Sequence, residues 1–338
     1  MVKLPPLCKS VAFCSLRSLK AISRSLHVAK NRHLAGARQI QGCSWRSVFW
    51  LWLGLAWALH AADASDTASA AAATPERKDP LKIYIHTDLE GVSGIDSMDM
   101  IERTGQRYRQ CCEHLMADLN AAIDGAFAGG ATHVTVLDSH GGGNNFIVEL
   151  LDKRAELDTR PNRKWWGILD GSYQGTFFIG AHPMAGSQNG FLDHTQSSQS
   201  WHDYLVNGRK MGELGQWAIV AGNWGVPMLM VSGDEAACAE ARNFFNPVET
   251  AVVKHAQGRN RAELVELKEA HNRIREAARR AVGLVGKGRP LTPIKPMEIV
   301  LEFNRSDYCD GVAAKPGIER LNARTVRWVT SDPLAILP

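Results

Sequence analysis

The chain is poor in features that would settle its class at once. It has seven cysteines in 338 residues, none in a CxxC or zinc-ribbon spacing, so neither a redox pair nor a structural zinc finger is expected. Its apolar run at 48–59 is twelve residues, short of the roughly 20 that cross a bilayer. No internal repeat is visible, which excludes solenoids and propellers. Acidic residues are nearly missing from positions 1–64, where Asp63 stands against nine Lys and Arg, a net of +8. The remaining residues carry 30 basic and 34 acidic side chains, a net of −4. The overall +4 therefore belongs to the leader, and no nucleic-acid partner is expected for the rest. A 45% hydrophobic, 22% charged composition is that of a globular protein.

Arg46, the apolar run and then Ala62-Asp63-Ala64 follow the positive, apolar, small-x-small order of a secretory signal peptide. Residues 1–64 are read as a leader, the protein as periplasmic or secreted, and the leader as its sole membrane contact. The long Ser- and Arg-rich stretch before the run also has the character of an organellar transit peptide. A start codon assigned too far upstream, or an uncleaved signal anchor, are the other readings. Cys8, Cys14 and Cys43 lie in the leader, leaving Cys111, Cys112, Cys238 and Cys309. Cys111 and Cys112 are neighbours on an expected helix and face different ways, so a bond between them is disfavoured.

Residues 65–80, Ala-rich and ending in Pro80, read as a flexible linker. From Leu81 onward, strand and helix patterns alternate. Lys82–Asp88 and Ala131–Asp138 predict buried strands around a helix at Gln106–Ala128, whose Leu115, Leu119, Ile123 and Phe127 form one apolar stripe before Gly129-Gly130. Further strands are expected at Thr176–Ala181 and Pro227–Ser232, and helices at Glu213–Ala221 and Glu235–Phe244. Asn207-Gly208 suits a type I′ hairpin. A long polar helix, Asn260–Val282, is expected to lead into strands at Met297–Phe303 and Thr325–Thr330. The fold class predicted is α/β, a mostly parallel sheet flanked by helices over 81–256, with a smaller C-terminal α+β part over 257–338.

Open α/β sheets bind ligands beyond the carboxyl ends of their strands, and here those ends collect metal-ligand residue types. The first strand ends Asp88-Leu89-Glu90-Gly91, the second Asp138-Ser139-His140 before three glycines, and the third Gly180-Ala181-His182. In extended chain, Asp88 and Glu90 share a face, and close carboxylates need a shared proton, a cation or basic partners. Histidines at neighbouring strand ends favour a cation, because carboxylate oxygen and neutral imidazole nitrogen are zinc ligands. Glu213, opening a helix, adds a third carboxylate. Three carboxylates and two imidazoles exceed the needs of one open zinc site and suit a bridged pair. Each residue also has a plainer reading: an acid capping a turn, an Asx turn at Asp138, a packed His182, a first-turn Glu213 favoured by the helix dipole.

The blocks Thr87-Asp88-Leu89-Glu90-Gly91-Val92-Ser93-Gly94, Asp138-Ser139-His140 with Asn144-Asn145, Gly180-Ala181-His182, Gly212-Glu213-Leu214-Gly215 and Val226–Asp234 occur in one order over about 82–332. In this they resemble the DppA-type D-aminopeptidase family of dinuclear zinc peptidases. The resemblance implies two Zn²⁺ per subunit, with Asp88 bridging, Glu90 and His140 completing one site, and His182 and Glu213 completing the other. It implies His194 as the catalytic residue, with His202 as the competing position. It also implies hydrolysis of short peptides with N-terminal D-amino acids, such as D-Ala-D-Ala, in a ring-shaped homo-oligomer. His86, which shares the Asp88 face, is read as a partner orienting a carboxylate or as a packed strand residue, and Asn145 as a substrate contact or a turn brace. Trp165, Trp166 and Trp201 are read as interface or core residues, and the small Ala181, Ala185 and Gly186 as a small-side-chain pocket or as close packing. Rival readings are a dinuclear metal-dependent amidase or phosphoesterase, and a non-catalytic periplasmic α/β binding protein.

Overall fold

The computed structural model describes residues 79–159 and 164–338, so the expected leader and all but the last two residues of the linker lie outside the described residues. β1 (Lys82–Thr87) and β2 (His133–Asp138) pair in parallel, Thr87 opposite Asp138, and are joined by α1 (Tyr108–Ala128). β3 (Glu156–Leu157) extends the sheet past β2, whereas β4 (Gly175–Ala181) pairs with the other side of β1. The strand order thus reverses between β1 and β4. Such a switch point leaves a crevice at the carboxyl ends of the two strands.

The chain then leaves this sheet for a hairpin of β5 (Trp201–Val206) and β6 (Arg209–Lys210), whose Asn207 and Gly208 have φ of 51° and 75°, as a type I′ turn requires. α2 (Glu213–Gly222) returns it to β7 (Met228–Asp234) beside β4. α3 (Glu235–Phe244), capped by the Asp234 carboxylate on Ala237 N at 2.8 Å, leads to β8 (Glu249–Gly258) and the antiparallel β9 (Arg261–Leu264). The larger sheet is therefore β3-β2-β1-β4-β7-β8-β9. After α4 (Leu267–Val282), β10 (Met297–Phe303), α5 (Ser306–Ala313), β11 (Glu319–Arg320) and β12 (Thr325–Thr330) join the hairpin in an antiparallel sheet of order β11-β12-β10-β5-β6.

Both faces of the large sheet are covered, which is why its central strands are apolar throughout. On one face Ile83, Ile85, Val134, Val136, Phe177 and Ile179 meet the expected stripe of α1, Leu115 excepted, together with Ile274, Ala277 and Ala281 of α4. On the other, Tyr84, Phe178 and Val231 meet Leu214, Trp217 and Ala218 of α2 and Ala237 and Ala241 of α3. The opposite side of α2, Ile219 and Val220, packs on Tyr204, Val206, Ile299 and Leu301 of the second sheet. α2 is thus buried from both sides, while β10 alternates buried and half-buried residues, as a sheet with one wet face does.

The polar helix expected at Asn260–Val282 begins only at Leu267, because Arg261–Leu264 pairs with β8 as an edge strand. β8 has only a short apolar run, Ala251-Val252-Val253, between Glu249-Thr250 and Lys254-His255, too short for its pattern to mark a strand. Nor do the two sheets part at residue 256: β9 and α4 complete the large sheet and its core, and β5 and β6, earlier in the chain, belong to the small one.

Asp124 on α1 accepts from Arg275 Nε of α4 at 2.6 Å and from Arg154 Nη2 at 3.0 Å, and these bonds lower its carboxyl pKa. A depressed carboxyl stabilises the fold above its unfolded pKa, about 3.9, and loses that contribution as pH falls through the folded value. All three groups are well exposed, so the pair is worth about 0.2–1 kcal/mol. Asp124→Asn is expected to lower the urea midpoint by that small amount at pH 7. The deficit should vanish once pH falls below the carboxylate range.

Candidate metal centre

Three strand ends aim at one point. After β1, the turn Asp88–Gly91 folds over the end of β4: Asp88 N donates to Ile179 O and Gly91 N to Gly180 O, both at 2.8 Å. A Cβ on Gly91 would stand 2.0 Å from Ala181 O, so this approach requires glycine. The turn presents Asp88 and Glu90 side by side, 5% and 2% exposed. After β2, the Asp138 carboxylate accepts from Asn145 N at 2.6 Å and Phe146 N at 3.0 Å, while Asn145 Nδ2 donates to Asp138 Oδ1 and His140 O. Asp138 therefore shapes the glycine turn that sets His140, and Asn145 braces it.

His182 follows β4, and its Nδ1 lies 3.1 Å from Pro183 O. A carbonyl only accepts, so Nδ1 carries the hydrogen and Nε2 is the atom turned to the cluster. His194 repeats the device, with Nδ1 donating to Leu192 O at 2.8 Å. It is bracketed by two side-chain-bearing residues in left-handed backbone, Leu192 (φ 49°) and Gln196 (φ 61°), a conformation costing about 1–2 kcal/mol per residue. Gln196 makes use of it: its N–H donates to Glu213 Oε1 at 2.7 Å.

His140 Nδ1 is 2.7 Å from Asp88 Oδ1 and 3.3 Å from Glu90 Oε2. His182 Nε2 is 3.4 Å from both Asp88 Oδ2 and Glu213 Oε1, and His194 Nε2 is 3.7 Å from Glu213 Oε1. The rings of His182 and His194 stack at 3.9 Å and 8°. Ligand atoms of Asp88, Glu90 and His140 lie within 4.8 Å of one another, as do those of Asp88, His182 and Glu213, and Asp88 belongs to both triplets. A third triplet joins Glu90, His182 and His194.

Burial alone would raise the Glu90 and Glu213 carboxyls. The imidazoles outweigh it: His140 holds Glu90 well below its usual range, and His182 with His194 brings Glu213 down to about 2. Conversely burial disfavours charge on His140 and His182, yet Glu90 and Asp88 push His140 up to about 11, and Glu213 and Asp88 raise His182. The carboxylates demand positive charge. Among the described residues no Lys or Arg side chain forms an ion pair with them. Glu90 Oε2 and His182 Nε2 are buried and make no hydrogen bond. Two such orphaned ligand atoms, aimed into one space and rimmed by three carboxylates, fit divalent cations.

A cavity of about 810 Å³ opens over the cluster, bounded by Asp88, His140, His194 and Glu213, with Trp165, Trp217 and His86 as an aromatic wall and Lys164 at its edge. His86 is packed against Phe178 and Trp217 at 4.4 and 4.2 Å and belongs to none of the triplets. His202 is exposed on β5, 3.2 Å from Asp203, and is not drawn into the centre. Trp165, Trp166 and Trp201 are half-buried and packed against the cores. Ala181, Ala185 and Gly186 do not line the cavity. The four described cysteines are free and buried. Gln196, Trp165 and Trp217 were not read as site residues. No local motif marks them, because each reaches the site from a loop or helix face that only the fold brings round.

A doubly covered α/β sheet with carboxylates and imidazoles gathered at its switch point defines a protein built around a His/carboxylate metal centre. Residues 81–337 match the Peptidase_M55 family, described as D-aminopeptidase, and the chain belongs to that family. A D-aminopeptidase of Bacillus subtilis (strain 168) is 33% identical over 258 residues, 75% of this chain and 93% of that protein. The solved structure of the Zn-dependent D-aminopeptidase DppA from Bacillus subtilis, a self-compartmentalizing protease, matches with a TM-score of 0.73 at 30% identity, covering 76% of this chain and 94% of that one.

The turn over β4 makes a direct prediction. Gly91→Ala forces a Cβ into Ala181 O and is expected to cost about 1–3 kcal/mol or more in urea unfolding. Gly311→Ala, on α5 with nothing within 4 Å, should be neutral or slightly stabilising.

Proposed function

We propose that the chain is a zinc-dependent aminopeptidase that removes N-terminal D-amino acids from short peptides, D-Ala-D-Ala among them, at a dinuclear centre. The observation that carries this reading is the membership of Asp88 in two ligand triplets, one with Glu90 and His140, the other with His182 and Glu213. Asp88 would bridge two zincs, each completed by one of those pairs. The family and the zinc-dependent relative support the metal and the reaction. Held by these five residues, zinc would supply Lewis acidity toward a scissile carbonyl and toward the attacking water.

The chain's own groups supply the rest. His194 has its Nδ1–H tied to Leu192 O, which leaves Nε2 facing the cavity as the atom that takes up a proton and returns it to the departing amine. Gln196 N donates to Glu213 Oε1 and so orients this carboxylate at the cavity wall. Trp165 and Trp217 give the cavity one apolar side against which an apolar part of a substrate can pack. Its volume, about 810 Å³, suits a small peptide and not a folded chain. The signal-like order of residues 46–64 supports export, where peptides released in cell-wall turnover carry D-amino acids. The self-compartmentalizing relative supports a homo-oligomer, read here as a ring that admits only short substrates.

A panel of D-Ala-D-Ala, L-Ala-L-Ala and a phosphodiester, assayed with chelator and after zinc is restored, tests the reaction. Zinc-dependent cleavage of the D-dipeptide is expected, and cleavage of neither dipeptide would overturn the proposal. His194→Gln should lower kcat by about a hundred- to ten-thousand-fold while mass spectrometry of the metal content still finds two zincs per chain. Loss of zinc along with activity would instead make His194 a ligand.

A further inference from the structure

We propose that two buried titratable residues outside the ligand set, Lys254 and Glu240, are positioning residues, each fixing the backbone of one half of the metal centre. The inference rests on the dinuclear reading above.

Lys254 lies on β8 and is fully buried. Its Nζ donates to Glu90 O at 2.7 Å and Ile95 O at 2.8 Å, spanning the segment that follows Asp88. Among the described residues neither carbonyl accepts from a backbone N–H. The face of Phe191 lies 4.7 Å away, and burial lowers the pKa of the amine to about 7 against the opposing pull of Asp118 and Asp234. Asp118 grips the same segment from its amide side, accepting from Ser93 N at 2.8 Å and Ser93 Oγ at 2.6 Å. A buried ammonium is costly, and an apolar residue would fill this strand position at less cost. What the lysine adds is two donors placed where Glu90 needs its main chain held.

Glu240 on α3 is 7% exposed and does the corresponding work on the other side. Its Oε2 accepts from Met184 N at 2.8 Å, two residues past His182. Its Oε1 sits against Gly212, the residue before Glu213: a Cβ there would be 3.2 Å away. One carboxylate thus touches both segments that deliver the second ligand pair. Oε1 makes no hydrogen bond, so the group is not fully satisfied by its own surroundings.

The full chain is loaded with Zn²⁺ and stripped by graded chelator, metal content being read by mass spectrometry. Glu90→Gln and Glu213→Gln identify which release step belongs to which site. Lys254→Met is expected to weaken the step sensitive to Glu90→Gln by about ten- to a hundred-fold, and at least tenfold more than the other step. Glu240→Met should do the same to the step sensitive to Glu213→Gln, with Glu240→Gln, which keeps an acceptor for Met184 N, restoring it. Equal weakening of both steps, or no change in either, overturns the proposal, because a merely structural role lowers both together. Wild-type protein that takes up fewer than two zincs overturns the dinuclear reading and this inference with it. Should Lys254→Met not fold, the two Glu240 variants decide the matter.

Discussion

Two backbone hydrogen bonds, from Asp88 N and Gly91 N to the last residues of β4, press one main chain against another so closely that side chains are excluded. Ala181 O is enclosed between two glycines, and a Cβ on Gly91 or Gly233 would lie 2.0 or 2.1 Å from it. Gly180, at φ 79°, faces Asp88 O in the same way. This contact brings the end of β1, with its two carboxylates, level with the end of β4, with His182. Were the turn a few ångströms higher, Asp88 would serve one triplet and not two.

That closeness has an electrostatic cost, since three carboxylates share a buried site. The imidazoles offset it: against the effect of burial, His140 holds Glu90 low and His182 holds Glu213 low, while Glu90 in turn holds His140 high, each in the sense that favours charge on both partners. The loops cannot relax the crowding by moving apart. Asp138, Asp118 and Asp234 each accept from the backbone of a segment carrying a ligand or flanking it, and Gln196 N donates to the Glu213 carboxylate itself. Hydrogen bonds of fixed direction, most of them to main chain, thus hold the segments that present the ligand residues.

The sequence was readable where chemistry and period coincide. Asp88, Glu90, His140 and His182 stand at the ends of apolar strands, and Leu119, Ile123 and Phe127 recur every four residues, so their placement follows from local pattern. His194 was reached by resemblance alone, since the loop from Pro183 has no period, and its geometry depends on left-handed backbone at Leu192 and Gln196 that no residue type there announces. Lys254 was illegible: a lysine in a strand normally points to water, and only the depth of β8 beneath the Asp88 turn makes it a donor to that turn. The strand β9 was lost for a related reason. Its four residues, Arg261-Ala262-Glu263-Leu264, are mostly exposed and show no buried face, and what makes it a strand is the neighbouring β8.

The alternation of the two sheets along the chain has a consequence for how the protein comes into being. β5 and β6 are made between β4 and β7, yet the strand that covers β5 is β10, with Ile299 opposite Val206. Tyr204 waits longer still, for its hydroxyl bonds to Ile336 O near the last residue. Pairings so distant in sequence close late and slowly. As the chain grows, the hairpin stands with an open edge until the C-terminal segment emerges. In that interval it is the part most exposed to wrong partners, and a helper that shields strand edges would act there first.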